Sequence, residues 1–385
     1  MHQAAAASDL GVNAHLLGVP GGRWKLNTPS LIVDLDILDE NIAKMARLCA
    51  ANAIALRPHA KSHKSLAIAR RQLAAGAVGI CCAKLGEAEI FAAGGIDPIL
   101  ITSPVVTGEG GRRLAALNRS CPELMIVTDN AANFDLLAAA AAASERPLAI
   151  ILDLDVGQHR TGIAPGADAI ALARMIAATP GLRFAGIQGY AGHLQHVGDR
   201  AARKADTLAA MAQLAKMRTA LEAEGLACPI VTGGGTGTFD LDPSAGALTD
   251  LQAGSYIFMD AQYEDVWEES GEPAPFRTSL FVQATVISAN HPGIATTDAG
   301  LKAFAADAGP PRIAAGAPDG THYVARSDEH GRLEFAPGQA LDVGAIVTCV
   351  VPHCDPTVNL YDNYHVVRGD TLVDIWPVDA RGRSQ

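Results

Sequence analysis

Apolar and polar positions follow two regimes along this chain. Between about residues 50 and 256, short apolar runs rich in β-branched residues recur at 54–58, 78–82, 99–102, 124–127, 149–153, 184–188, 229–232 and 250–256. Most of the stretches between them are alanine-, leucine- and arginine-rich and helical in character, such as "NFDLLAAAAAAS" and "RKADTLAAMAQLAKMRTALEAEG". Eight strands with helical crossovers predict an α/β chain folded as a (β/α)8 TIM-like barrel. A doubly wound sheet fits less well, because there are eight repeats and no GxGxxG.

Beyond about residue 270 the pattern changes. "SLFVQATVIS", "GIATTDAG", "HYVARSDEHGRLEF", "AIVTCVVPH" and "HVVRGDTLVDIW" read as short strands separated by Gly, Pro and Asp turns. They predict a C-terminal all-β domain. "TPSLIVDLDIL", near residue 30, supplies a further strand that either domain could take. The expected division is an N-terminal arm over 1–25, a barrel over 26–270 and a β-strand domain over 271–385.

Composition narrows the function classes. The chain has 385 residues, of which 49% are hydrophobic, enough for a large core. Aromatic content is 5% and net charge −11, with no basic run, which argues against nucleic acid as a partner. No stretch reaches membrane-spanning length and the N-terminus shows no secretion signal, so a soluble cytoplasmic protein is expected. The 7 cysteines include no CxxC, and Cys81 and Cys82 lie inside the apolar "VGICCAK", which suits reduced, buried thiols.

Polar residues collect just past the predicted strands, where a barrel gathers its chemistry. Lys61, in "ALRPHAKSHKS", follows the first strand and Arg160, in "DVGQHRTG", the fifth. Tyr190, His193 and His196, in "QGYAGHLQH", follow the sixth; "TGGGTGT" (232–238) follows the seventh, and Gln252 lies in the eighth. Consecutive glycines let backbone N–H groups approach an anion, although a glycine-rich turn can be only a turn. The run is no Walker motif, because no lysine follows it. A phosphate site opposite a single lysine suggests pyridoxal phosphate, with Lys61 as its covalent anchor. An ordinary surface lysine is the alternative.

A second cluster, "VPHCDPTVNLYD" (351–362), ends a run in the β domain. His353 and Asp355 are two apart; in a regular strand they would share a face, with Cys354 on the other. Such a pair can hold a divalent ion with open positions for water or substrate, or can be a hydrogen-bonded pair in a turn.

The motifs "RPHAKSHK", "DVGQHRTG", "GGGTG", "LQAGSYIFMD" and "PHCDPTVNLYD" together resemble the D-threonine aldolase, 3-hydroxy-D-aspartate aldolase and D-serine dehydratase family. These are metal-assisted pyridoxal-phosphate enzymes of alanine-racemase-like fold, and the resemblance runs from about residue 25 to the end. It implies that Lys61 carries the cofactor and that Arg160 bonds the phenolic oxygen of its ring. Thr232, Gly234, Gly235, Thr236 and Tyr256 would hold the phosphate, and Tyr190 would lie beside the ring. Gln252 stands where alanine racemases have an arginine facing the pyridine nitrogen. A neutral partner there leaves the ring less electron-withdrawing than a protonated pyridine, which gives a second electrophile something to do.

The resemblance further implies that His353 and Asp355 bind a divalent ion. His-x-Asp is the aldolase pattern, where the dehydratases have His-x-Cys. A carboxylate favours Mn2+, with Zn2+ or Mg2+ as alternatives. His196 would take the β-hydroxyl proton. His193 departs from the family pattern and could contact the distal group of the substrate. The implied reaction is reversible cleavage of a D-β-hydroxy-α-amino acid to glycine and an aldehyde, in a homodimer. β-Elimination of D-serine or 3-hydroxyaspartate, racemisation, and a non-catalytic pyridoxal-phosphate-binding protein are the alternatives.

Overall fold

A computed structural model describes residues 10–325 and 327–385. The chain forms two compact units, and it passes between them more than once.

The first unit comprises residues 43–61, 66–254 and 382–385. Its eight parallel strands are β2 (Ala55–Leu56), β3 (Ile80–Cys82), β4 (Ile99–Ile101), β5 (Leu124–Thr128), β6 (Leu148–Leu154), β7 (Leu182–Gly189), β8 (Ile230–Gly233) and β9 (Asp250–Leu251). They lie in the order β2-β9-β8-β7-β6-β5-β4-β3. The two ends of this row meet: Cys81 N donates to Pro58 O at 2.9 Å, and His59 and Cys81 form a parallel bridge. The sheet is therefore a barrel, as the eight-run pattern predicts. Helix α1 (Leu35–Ala51) precedes β2, and helices α2 (Leu66–Ala74), α3 (Leu85–Ala93), α4 (Gly108–Ser120), α5 (Phe134–Ser144), α6 (Ala167–Ala178) and α7 (Arg200–Ala223) return the chain after β2 to β7.

Strand alternation sorts the side chains. Cys81, Leu100, Met125, Val127, Ala149, Ile151 and Ala185 come from five neighbouring strands and pack into one buried cluster. Arg57 and Asp250 add a buried ion pair at 3.3 Å. The last strand is shorter than its apolar run: pairing continues only through Gln252 N to Gly233 O at 2.8 Å, and Ser255–Ile257 form a single 3-10 turn.

The second unit takes residues 10–42, 62–65 and 255–381. One boundary near residue 270 does not describe it, because its strand β1 (Ser30–Asp34) comes from the N-terminal region. β1 sits centrally, antiparallel to β10 (Leu280–His291) and parallel to β16 (Asn363–Arg368). Around them lie β11 (Ile294–Thr297), β12 (Arg312–Ala315), β13 (His322–Ala325), β14 (Gly331–Glu334), β15 (Ile346–Val350) and β17 (Thr371–Pro377). The sequence pattern does not reveal β12. It follows Pro310 and Pro311, and half of it is exposed, so it carries no apolar alternation.

Two helices belong with this sheet, α8 (Ala261–Ser270) and the short α9 (Cys354–Val358). Leu16, Leu26, Ile32, Val367, Leu372 and Ile375 close part of its core. The short piece 62–65 is fastened here by Tyr364 Oη donating to His63 O at 2.6 Å and by Ala380 N donating to Lys64 O at 3.0 Å. None of the seven cysteines is in a disulfide, and all are buried. Among the described residues no helix is long and apolar enough to cross a membrane.

Candidate active site

The barrel's polar residues gather past the ends of its strands. Lys61 lies half-buried in the single turn Ala60–Ser62 that follows β2. Its backbone N–H donates to His59 Nδ1 at 3.4 Å, and His59 Nε2 meets Thr102 Oγ1 at 3.1 Å. Thr102 donates its hydroxyl proton to Cys82 O at 3.2 Å, so His59 Nε2 is the donor in their contact. Through these bonds His59 braces the turn carrying Lys61.

A row of polar side chains spans β6, β7 and β8 and ends at Gln252, which lies just past β9 and not within it as its run predicts. Register places Asp153 opposite Gln188 and Gln188 opposite Thr232. Thr161 Oγ1 donates to Asp153 Oδ2 at 2.8 Å and Gln188 Nε2 to Asp153 Oδ1 at 2.9 Å. Gln252 Nε2 donates to Gln188 Oε1 at 2.9 Å and to Thr232 Oγ1 at 3.0 Å. Burial pushes the Asp153 carboxyl up to about 6, against the pull of the Gln188 and Thr161 bonds. Arg160, exposed in the loop after β6, lies over the Tyr190 ring at 5.5 Å.

The glycine run after β8 is built from behind. Gly235 N donates to Asp242 Oδ2 at 3.3 Å and Gly237 N to Gln195 Oε1 at 2.9 Å. Thr238 Oγ1 also donates to Asp242 Oδ2, at 2.7 Å. Gly234 has φ +71°, and a Cβ there would come within 2.3 Å of Asp242 Oδ2. A Cβ at Gly237 would come within 1.9 Å of Gln195 O. These glycines are therefore required by packing as well as by any anion. The Thr236 hydroxyl is buried and meets no hydrogen-bond partner among the described residues. An orphaned donor in a loop stripped of side chains fits an anionic group such as a phosphate.

His193 and His196 are both exposed at the short turn after β7. His193 lies over Gly157, where a Cβ would meet its Nε2 at 3.3 Å. Gln195, between the two, is buried and ties Ala191 O and Thr238 Oγ1 together at 3.2 and 3.0 Å. The sequence pattern does not single out Gln195, Asp242, Asp153 or Gln188. For Asp153 and Gln188 a signal existed: each stands near the end of an apolar run, where a polar residue in a barrel strand reaches the mouth.

Tyr256, His353 and Asp355 belong to the β-sheet unit. Tyr256 is fully buried, its ring centroid 5.6 Å from that of Phe276. The expectation that His353 and Asp355 share a strand face is not met. His353 caps α9 and Asp355 stands in its first turn, because Pro356 has no N–H for a sheet ladder and suits the start of a helix. His353 Nδ1 meets Asp307 Oδ2 at 2.7 Å. Asp355 Oδ1 accepts from Ser255 Oγ and Cys354 Sγ, both at 3.3 Å.

Cys354 is fully buried, and burial beside Asp260 and Asp355 pushes its thiol well up, so it stays protonated. Among the described residues no three His, Cys, Asp or Glu side chains are gathered into a ready cage. An imidazole held from behind by a carboxylate, with a second carboxylate two residues on, nonetheless has the donor chemistry of a divalent site with open positions.

A closed parallel barrel with a glycine cradle past its penultimate strand, in one chain with an antiparallel sheet, defines an alanine-racemase-type protein. Residues 33–262 match the model of the alanine racemase N-terminal domain, and residues 279–367 that of a serine dehydratase domain. The chain is 42% identical to the D-threonine aldolase of Arthrobacter sp., over 94% of each. It is 39% identical to the 3-hydroxy-D-aspartate aldolase of Paracoccus denitrificans (strain Pd 1222), over 94% of this chain and 93% of that one. Its fold superimposes on the crystal structure of D-threonine aldolase from Filomicrobium marinum with a TM-score of 0.89 and 39% identity, covering 94% of this chain and 97% of that one. The chain belongs to the D-threonine aldolase, 3-hydroxy-D-aspartate aldolase and D-serine dehydratase family.

Proposed function

We propose that this chain is a pyridoxal-phosphate- and divalent-metal-dependent aldolase that cleaves D-β-hydroxy-α-amino acids reversibly to glycine and an aldehyde. The observation that carries this reading is similarity to two such aldolases along 94% of the chain. In this reading Lys61 is the covalent anchor, Arg160 and Tyr190 flank the ring, and Gln252 faces its nitrogen. The Thr236 hydroxyl and the cradle Thr232–Gly235 take the phosphate, with Tyr256 as a further contact. His353 and Asp355 hold the ion, for which their nitrogen and oxygen donors favour Mn2+. When bound, the cofactor supplies an electron sink and the ion a Lewis acid.

The chain's own side chains divide the remaining work. His196, exposed at the turn after β7, removes the proton of the substrate β-hydroxyl. His193, over the loop after β6, contacts the distal substituent. His59 keeps the turn of Lys61 in place, and Gln195 and Asp242 hold the cradle open against collapse. The same resemblance supports a cytoplasmic homodimer, which light scattering on purified protein tests.

A second reading is β-elimination, favoured by the match of residues 279–367 to a serine dehydratase domain. The carboxylate at Asp355, in place of a thiolate, weighs against it. One experiment separates the two: incubate D-threonine, D-phenylserine and 3-hydroxy-D-aspartate with the loaded protein, with and without EDTA, and identify the products. Glycine plus aldehyde, abolished by EDTA with the cofactor absorbance retained, supports the aldolase. Keto acid plus ammonia overturns it in favour of the dehydratase.

A further inference from the structure

The polar row in the barrel has a direction. A carboxylate only accepts hydrogen bonds, so the Gln188 atom at 2.9 Å from Asp153 Oδ1 must be its amide nitrogen. That orients Gln188 Oε1 towards Gln252, from whose Nε2 it accepts at 2.9 Å. The second bond of Gln252 Nε2 goes to Thr232 Oγ1 at 3.0 Å. Both hydrogen bonds of Gln252 leave from nitrogen, so the atom it has left for a bound molecule is Oε1, a pure acceptor. The other carboxylate oxygen of Asp153 is engaged by Thr161, which pins the start of the relay.

We propose that Asp153 is a positioning residue that fixes, through Gln188, the hydrogen-bonding polarity of Gln252, so that the site offers an acceptor to a ring N–H. The inference rests on the cofactor reading above, in which Gln252 is the partner of the pyridine nitrogen. An acceptor holds that nitrogen with its proton; a donor would hold it without. The expectation that a neutral amide leaves the ring unprotonated considers only formal charge, and the relay reverses it. Asp153 itself touches no cofactor atom in this scheme. It acts two amides away, through buried side chains of which register holds Asp153 opposite Gln188. The row therefore does what a directly placed carboxylate would do, without bringing a negative charge to the ring.

The test is the ring-nitrogen resonance of protein loaded with 15N-labelled pyridoxal phosphate. In the native protein it should lie upfield, where protonated pyridines fall; a downfield, unprotonated position in the native protein overturns the proposal without any variant. Asp153→Leu and Gln188→Leu each cut the relay, and each should move the resonance downfield. Adding Gln252→Glu to either should return it upfield, because that carboxylate accepts whatever lies behind it. A merely structural role for Asp153 would lower stability or cofactor affinity and leave the resonance in place, and that result also overturns the proposal. Borohydride reduction of the same samples keeps the two readings apart. No label on Lys61 means that the cofactor reading has failed, and the relay proposal with it; a label on Lys61 with an unmoved resonance means that the relay alone has failed.

Discussion

His353 Nδ1 and Asp307 Oδ2 stand 2.7 Å apart, which commits that ring nitrogen and leaves Nε2 as the imidazole atom that can meet an ion. A carboxylate behind a ligating histidine fixes the ring and raises its basicity, and losing such a partner usually costs about 10–100-fold in metal affinity. Asp307→Ala should therefore weaken Mn2+ binding by about that factor and leave the cofactor spectrum unchanged. Titration of metal-stripped protein followed by the Mn2+ paramagnetic resonance signal measures it; equal affinities in variant and native protein would remove Asp307 from the site.

The two exposed histidines after β7 should separate kinetically. If His196 is the base, His196→Ala lowers kcat by about 10²–10⁴-fold with unaltered cofactor absorbance. His193→Ala should act mainly on KM, and most strongly for the substrate with the most polar β-substituent. Reversed phenotypes would exchange their roles.

Asp242 gives a pH signature to the cofactor-free protein. It is almost wholly enclosed behind the glycine cradle, and burial pushes its carboxyl up to about 7 in spite of the Thr238 and Gly235 bonds. In an unfolded chain an aspartate titrates near about 3.9. Between those values the folded chain holds a proton that the unfolded chain has released. This contribution to stability is therefore complete below about pH 4 and is lost as pH rises through about 7. A thousandfold difference in proton affinity corresponds to about 4 kcal/mol, which bounds the effect. Asp242→Asn should flatten this limb: its Tm relative to the native protein should improve steadily from pH 4 to pH 8. Parallel Tm curves would show that Asp242 does not titrate in this interval. Asp153, pushed up to about 6, adds a similar but narrower limb in both proteins.

Gly237→Ala tests the cradle as a packed object. Its Cβ would come within 1.9 Å of the backbone oxygen of Gln195, which cannot swing aside as a side-chain tip could. Overpacking of this kind costs about 1–3 kcal/mol. The expected outcome is a lower Tm and weaker pyridoxal-phosphate binding together. A variant with native stability and native cofactor affinity would mean that the loop relaxes freely.

Much of this architecture could be read from the chain. Eight short apolar runs separated by alanine-rich segments require eight strands with crossovers, and such strands can bury both faces only in a sheet covered by helices. The switch after about residue 270 to short runs between Gly, Pro and Asp turns announced a second, antiparallel unit. Lys61, the glycines at 233–235 and the pair His353 and Asp355 stood out because their chemistry conflicts with the local pattern: charge after an apolar run, no side chains beside a strand, imidazole near carboxylate.

What the chain by itself determined, then, is the set of strands and the residues at their ends, since both follow from periodicity and side-chain type over a few neighbours. Which atoms face one another was decided only in three dimensions. The strand at Ser30–Asp34 joined the antiparallel sheet because its partners are Leu280–Gln283 and His365–Val367, hundreds of residues away. His353 and Asp355 left the strand because the chain turns into a helix at Cys354, with Pro356 in its first turn. Asp153, Gln188 and Gln252 became one relay because register set Asp153 opposite Gln188 and folding brought Gln252 Nε2 to Gln188 Oε1. Hydrogen-bond direction depends on partners, and partners separated by 35 and 64 positions leave no trace in any local window.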